Sequence, residues 1–214
     1  TSRVKRFLAI LLFTTFAMTA LCLSSPSCTN MVIFTPLILT YGISTLLEKI
    51  FFISFKNKGK QRIKSIAGLR TIAITASYGK TSIKNYLYHV LKNKYKTYKT
   101  PRSVNTIAGI VLDVNRDIPL DTQIYIAEAG ARVKGDIEEI AMFLEPQICI
   151  IGSVGPQHIE YFKTLDNIIH TKMELLKSPR MKMGFVHESV PIKAYSTITK
   201  FPNNLHITKS NLDG

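Results

Sequence analysis

Two long apolar runs open the chain, and a different pattern follows them. Phe7 to Leu23 reads FLAILLFTTFAMTALCL, 17 residues without a charge, and a bilayer span needs roughly 17–25 such residues. The polar stretch Ser24 to Asn30, with Pro26, separates it from a second run over Met31 to Leu47. Both runs are apolar on every side. They predict a transmembrane helical hairpin with spans over about 7–23 and 31–47. A cleaved signal peptide is the rival reading of the first run, and a pair of buried core helices the rival reading of both.

Downstream the pattern turns to short β-branched runs alternating with helical spacing. RTIAIT (Arg70 to Thr75), QIYIA (Gln123 to Ala127) and QICII (Gln147 to Ile151) read as buried strands. Thr81 to Leu91, Gly135 to Leu144 and Asp166 to Leu176 read as helices, the second stopped by Pro146. Strands alternating with helices predict an α/β fold, a parallel sheet with crossover helices. Residues 1–60 are thus expected to hold the hairpin and a basic linker, and residues 61–214 the α/β domain.

Charge orients the hairpin. Arg3, Lys5 and Arg6 precede the first run, Lys56, Lys58, Lys60, Arg62 and Lys64 follow the second, and the loop between carries none. Basic flanks stay inside. This predicts an inner-membrane protein with the α/β domain in the cytoplasm. The net charge is +14, and no acidic residue occurs from Lys49 to Leu112. Such a block suits an anionic membrane, a polyanion or a phosphorylated substrate. It carries no nucleic-acid-binding motif, so no nucleic-acid partner is expected. Cys22, Cys28 and Cys149 form no CxxC pair, and no histidine has zinc spacing to them. The start at Thr1 and the stop at Gly214 suggest that both ends are cut.

The strongest chemical signal is Thr75-Ala76-Ser77-Tyr78-Gly79-Lys80-Thr81-Ser82, between a strand and a helix. There backbone N–H groups and a helix N-terminus face an anion. Lys80 can neutralise the β and γ phosphates of ATP, and the Thr81 hydroxyl can hold Mg²⁺. The first glycine of the long phosphate loop (P-loop) pattern is absent, with Ile74 in its place.

TASYGKTS resembles the phosphate loop of the Mur ligases, with Ala76 where that family usually has Gly. Three further blocks, in the same order and spacing over residues 70–176, also resemble it. They are TPRSVNTIAGI with Asn105, YIAEAGARVKGDIEEI with Glu128, and the segments from Pro146 to Glu160 and Asp166 to Leu175 with His158 and Lys172. The resemblance implies a partial central ATP-binding domain of a peptidoglycan-precursor ligase. Ala76 to Ser82 and Asn105 would bind nucleotide, and Thr81, Glu128, His158 and Lys172 would hold two Mg²⁺. Lys80, Lys172 and His158 would carry the catalysis. Lys172 would be carbamylated, because an unmodified ammonium would repel the metal. Glu160 and Glu174 match family positions that support the site. EAGARVKGDI is most similar to the members that join D-alanyl-D-alanine to UDP-N-acetylmuramoyl-tripeptide. A different Mur ligase, a folylpolyglutamate synthetase-like ligase and a non-catalytic membrane-bound nucleotide module stay open as alternatives. The 214-residue piece alone is expected to bind nucleotide weakly and not to turn over.

Overall fold

The computed structural model describes residues 2–22, 29–157, 159–190 and 205–208. The chain divides into two compact units, Thr1–Phe55 and Lys56–Gly214.

The first unit consists of helix α1 (Ser2–Cys22) and the first part of helix α2 (Thr29–Ser65). The two helices meet at Thr14 and Thr40, whose hydroxyls lie 2.8 Å apart. The Arg6 guanidinium sits 5.4 Å from the centre of the Phe51 ring. Thr14, Thr15 and Thr19 return their hydroxyls to carbonyls one turn back, which satisfies them without water. Leu12, Phe13, Phe16, Ile38 and Ile53 point outward and are exposed. Among the described residues one helix, Pro36–Ser65, is long and apolar enough to cross a membrane.

In the second unit the last turns of α2 are part of the domain, although Gln61 to Leu69 reads in sequence as a basic connection. Ile63, Ile66 and Leu69 are buried in the core. Gly59 lets α2 approach so closely that an added Cβ would stand 2.9 Å from Phe143 Cζ and 3.0 Å from Asn115 Nδ2. Lys56 pairs with Glu139 at 2.6 Å, Lys60 with Glu145 at 3.7 Å, and Arg62 donates to the Ile118 carbonyl.

The rest alternates strand and helix: β1 (Arg70–Thr75), α3 (Lys80–Leu91), β2 (Thr97–Lys99), α4 (Ile107–Arg116), β3 (Ile124–Glu128), α5 (Asp136–Leu144), β4 (Ile148–Ile151), α6 (Ile159–Phe162), α7 (Leu165–Met173), a 3-10 turn (Glu174–Lys177), β5 (Met183–His187) and β6 (Leu205–Thr208). The six strands form one sheet, ordered β2-β3-β1-β4-β5-β6, and all pairs are parallel. The inner strands are apolar runs because both faces are covered. Ile72, Ile74, Ile124 and Ile126 meet Ile83, Leu87 and Leu91 of α3 on one face. Ala73, Ala127, Cys149 and Ile151 meet α4, α5 and α7 on the other. Beneath α4 the Asp113 carboxylate accepts from the hydroxyls of Tyr98 and Tyr125 at 2.8 and 2.7 Å. Burial holds this carboxyl above the usual range despite those bonds.

Candidate active site

The sheet order brings the carboxyl ends of β1 and β3 together. Ile74 lies opposite Glu128 in the register. The loop after β1 and the carboxylate ending β3 therefore share one crevice, where open α/β sheets take their ligands. The loop enters α3 through Gly79, whose φ of 77° lies in the left-handed region that glycine adopts without strain. The first bond into the helix runs from Ile83 N to Gly79 O at 2.9 Å. The N–H groups of Lys80, Thr81 and Ser82 thus have no acceptor inside the helix, and the helix dipole favours an anion beside them.

Lys80 folds back over its own loop and donates to the Ala76 carbonyl at 2.6 Å. Burial lowers its pKa, and the Glu128 carboxylate opposes that. Thr81 Oγ1 donates to Glu128 Oε2 at 3.2 Å. Glu128 is buried, and its Oε1 lies 2.6 Å from the Lys84 ammonium. The angles of that ion pair fall short of hydrogen-bond geometry, so Oε1 keeps no hydrogen-bond partner. A buried carboxylate beside a hydroxyl, at the mouth of a phosphate loop, is the oxygen donor set a hard cation takes. Thr81 and Glu128 therefore fit Mg²⁺.

The loop is strapped to the segment after β4. Ser77 donates its N–H to the Ser153 carbonyl at 2.8 Å and its hydroxyl to the Gly155 carbonyl at 3.0 Å. Both its donors are engaged there, so Ser77 anchors the loop to this segment. Ala76 is fully buried against Gly152, and the Tyr78 ring lies over Gly155. Val154 N–H reaches Ser189 Oγ at 3.1 Å, which ties the strap to the end of β5.

Asn105 reaches the crevice from the segment before α4. Its carbonyl accepts from Gly130 N at 2.8 Å, and its amide packs on Gly130, where an added Cβ would stand 2.8 Å from Asn105 Cγ. Lys172, on α7, is 5% exposed. Burial first, and then the Lys80 ammonium, lower its pKa to about 8. Its carbonyl accepts from the Glu174 N–H at the end of α7. His158 lies outside the described residues. Glu160 is exposed at the start of α6. Glu174 accepts from Gly135 N at 2.9 Å and from Glu138 N at 3.2 Å, and so caps α5 from another element. Between Lys134 and the α6–α7 segment, with Lys163, Asn167 and His170, lies an open hollow of about 520 Å³.

The structure thus gathers Lys80, Thr81, Glu128, Asn105 and Lys172. It adds one residue that sequence reasoning passed over, Lys84. The available signal was its spacing of four from Lys80, which puts both on one helix face, but a lysine in an acid-free block reads as solvated.

A parallel sheet with a phosphate loop after β1 and a buried carboxylate ending the neighbouring strand defines a nucleotide-binding domain of the phosphate-loop class. The Mur ligase middle domain family matches residues 74–209. That is more than half of the chain, and the chain belongs to this family. Among curated relatives it is similar to the UDP-N-acetylmuramoyl-tripeptide–D-alanyl-D-alanine ligase of Borreliella burgdorferi, 35% identical over 107 residues, half of this chain and 23% of that protein. It is also similar to the ligase of the same name from Bacillus subtilis, 30% identical over 136 residues, 62% of this chain and 30% of that protein. The chain therefore spans a quarter to a third of the length of these relatives. Among solved structures it is similar to the MurF ligase of Thermotoga maritima in complex with ADP, with a TM-score of 0.61 and 27% identity, covering 73% of this chain and 35% of that one.

Proposed function

We propose that this chain is the ATP-binding part of a ligase that joins D-alanyl-D-alanine to UDP-N-acetylmuramoyl-tripeptide. The observation that carries the reading is the meeting of Thr81 and Glu128 at 3.2 Å beside Lys80. In this reaction the carboxylate of the tripeptide attacks the γ phosphorus of ATP, giving an acyl phosphate and ADP. The dipeptide amine then attacks the acyl carbon, the amide forms, and phosphate leaves with the loss of one proton. Lys80 and the first N–H groups of α3 stabilise the charge on the transferring phosphoryl group. Bound Mg²⁺, held by Thr81 and Glu128, would supply further charge neutralisation there. The hollow beside Lys134 and Lys163 offers cationic walls for an anionic acceptor.

Lys172 serves this site best as a carbamate. With its pKa lowered to about 8, about a tenth of the amine is neutral at pH 7, far more than for an ordinary lysine. A neutral amine adds CO2 to give a carbamate and a proton. The product turns a buried cation into an oxygen ligand, and His158 would complete a second Mg²⁺ site.

The apolar hairpin supports tethering to the inner membrane with this domain in the cytoplasm. The large hydrophobic side chains it exposes are aliphatic and aromatic, the hydroxyls of Thr14, Thr15, Thr19 and Thr45 bond to carbonyls one turn back, and its flanks are basic. Resistance to carbonate extraction from membranes is the expected behaviour, and recovery in the soluble fraction would remove this part of the reading.

The deciding assay is phosphate release from ATP by the full-length protein in detergent. UDP-N-acetylmuramoyl-tripeptide is present throughout, D-alanyl-D-alanine is present or omitted, and a Lys80→Ala variant runs alongside. Release that needs both substrates and disappears in the variant supports the proposal. No release with or without D-alanyl-D-alanine overturns the proposal and leaves another acceptor or a non-catalytic nucleotide module.

A further inference from the structure

We propose that Lys84 is a positioning residue for this site, fixing the Glu128 carboxylate and the segment that leads to Asn105. The inference rests on the reading of Thr81 and Glu128 as Mg²⁺ ligands. Lys84 is fully buried. Its ammonium lies 2.6 Å from Glu128 Oε1, donates to the Thr100 carbonyl at 2.9 Å, and donates to the Arg102 carbonyl.

Two of these contacts are hydrogen bonds and the third, to Glu128, is an ion pair. The two hydrogen-bond acceptors are main-chain carbonyls, so the ammonium stays in place whatever the carboxylate does. A lysine that merely filled a vacant metal position would have only the carboxylate to hold it. Glu128 then has one oxygen facing a fixed cation, and only Oε2 turned to Thr81 and the crevice. The same ammonium gathers the chain between β2 and Asn105, where Arg102 adopts a φ of 46°, a left-handed conformation that surrounding contacts must hold. Lys84 thereby joins the helix behind the phosphate loop, the strand end that bears the carboxylate, and the loop that delivers Asn105. It touches no substrate. Its part is to set which oxygen of Glu128 is offered, and from where.

The test is nucleotide binding by the full chain in detergent, measured with a fluorescent ADP analogue in EDTA and across a Mg²⁺ titration, for wild type and Lys84→Met. Removing a residue that orients a metal ligand weakens metal binding roughly 10–100-fold. The expected result is a Mg²⁺ half-saturation raised by about that factor, with affinity in EDTA changed by no more than about twofold. Equal losses in EDTA and in Mg²⁺, or an unchanged Mg²⁺ half-saturation in a folded variant, overturn the inference. If Lys84→Met does not fold, Lys84→Gln, which keeps donors for the two carbonyls, is read by the same criterion. A wild-type protein that binds nucleotide without any Mg²⁺ response overturns the metal reading itself, and is told apart by occurring in the unmutated chain.

Discussion

Gly152 makes room for Ala76: a Cβ on Gly152 would stand 2.9 Å from the Ala76 Cβ and 3.1 Å from Ile83 Cδ1. The methyl group that Ala76 adds to the phosphate loop is therefore housed by the bare backbone of the next strand's exit. Gly152→Ala is expected to destabilise the domain by about 1–3 kcal/mol through overpacking. The double variant Ala76→Gly/Gly152→Ala should recover roughly half or more of that loss, since contacting residues couple. Thermal unfolding of the four proteins in the cycle measures both numbers. Additive losses would mean that the two positions do not share this space.

Gly130 does the same for Asn105, whose amide lies 2.8–3.0 Å from where a Cβ would be. Gly130→Ala should push Asn105 out of the crevice while leaving the sheet intact. ATP-dependent phosphate release by the full-length protein is expected to fall up to roughly a hundredfold, as for a misplaced positioning group. Thermal stability should change by only about 1 kcal/mol, the usual scale of a single substitution. Normal turnover in the variant would remove Asn105 from the site.

Lys172 gives a pH dependence with a definite sign. Its folded pKa is lowered from 10.5 to about 8 by burial and by Lys80, so between those values the unfolded chain holds the proton more tightly. Stability then rises with pH across that window and is level, with respect to this group, below about 8. Lys172→Met should raise stability near neutral pH by on the order of 1–3 kcal/mol. The gain should shrink as pH climbs from about 8 towards 10.5. Denaturant unfolding without bicarbonate, at a series of pH values, reads the difference directly. A gain that does not vary with pH would mean that Lys172 carries no buried charge.

Glu174 is the cap that α5 lacks locally, since Gly135 at its N-cap has no side chain to offer. Glu174→Ala should cost about 1–2 kcal/mol, the range for a lost N-cap acceptor. Glu174→Gln, which retains one acceptor oxygen, should cost less. Unfolding midpoints of the two variants decide this, and equal losses would indicate that the charge matters rather than the acceptor.

What the sequence made legible follows local physics. Arg70–Thr75 is a strand over its expected bounds, and the helix after the loop begins one residue earlier than Thr81. Those segments have strong periodicity and marked ends. The three-residue strand β2 and the helix α4 lie outside the elements the pattern predicts. The first is too short for a pattern, and the second sits inside a segment interpreted through Asn105 alone. Partnership across the chain was the larger gap. The acid-free block reads as a surface for anions, yet Lys56, Lys60 and Lys84 each meet a glutamate between Glu128 and Glu145. Charge counted along a sequence says nothing about which charges fold onto one another. Of the site, Lys80, Thr81 and Glu128 were legible because a loop and a strand end fix them. Lys84 was not, because its function lies in its three contacts.

The seating of Lys56 to Ile66 against α4 and α5 also limits how modular this protein can be. The domain begins inside a helix whose earlier residues are apolar and exposed. A protease that releases a folded domain must cut ahead of Lys56. A cut at Gln61 would strip away Gly59 and the two lysines that bind Glu139 and Glu145, and would leave Phe143 uncovered. Exchanging the apolar segment for another anchor is tolerable only if those last turns travel with the domain. They belong to its foundation, even though their composition reads as part of the tether.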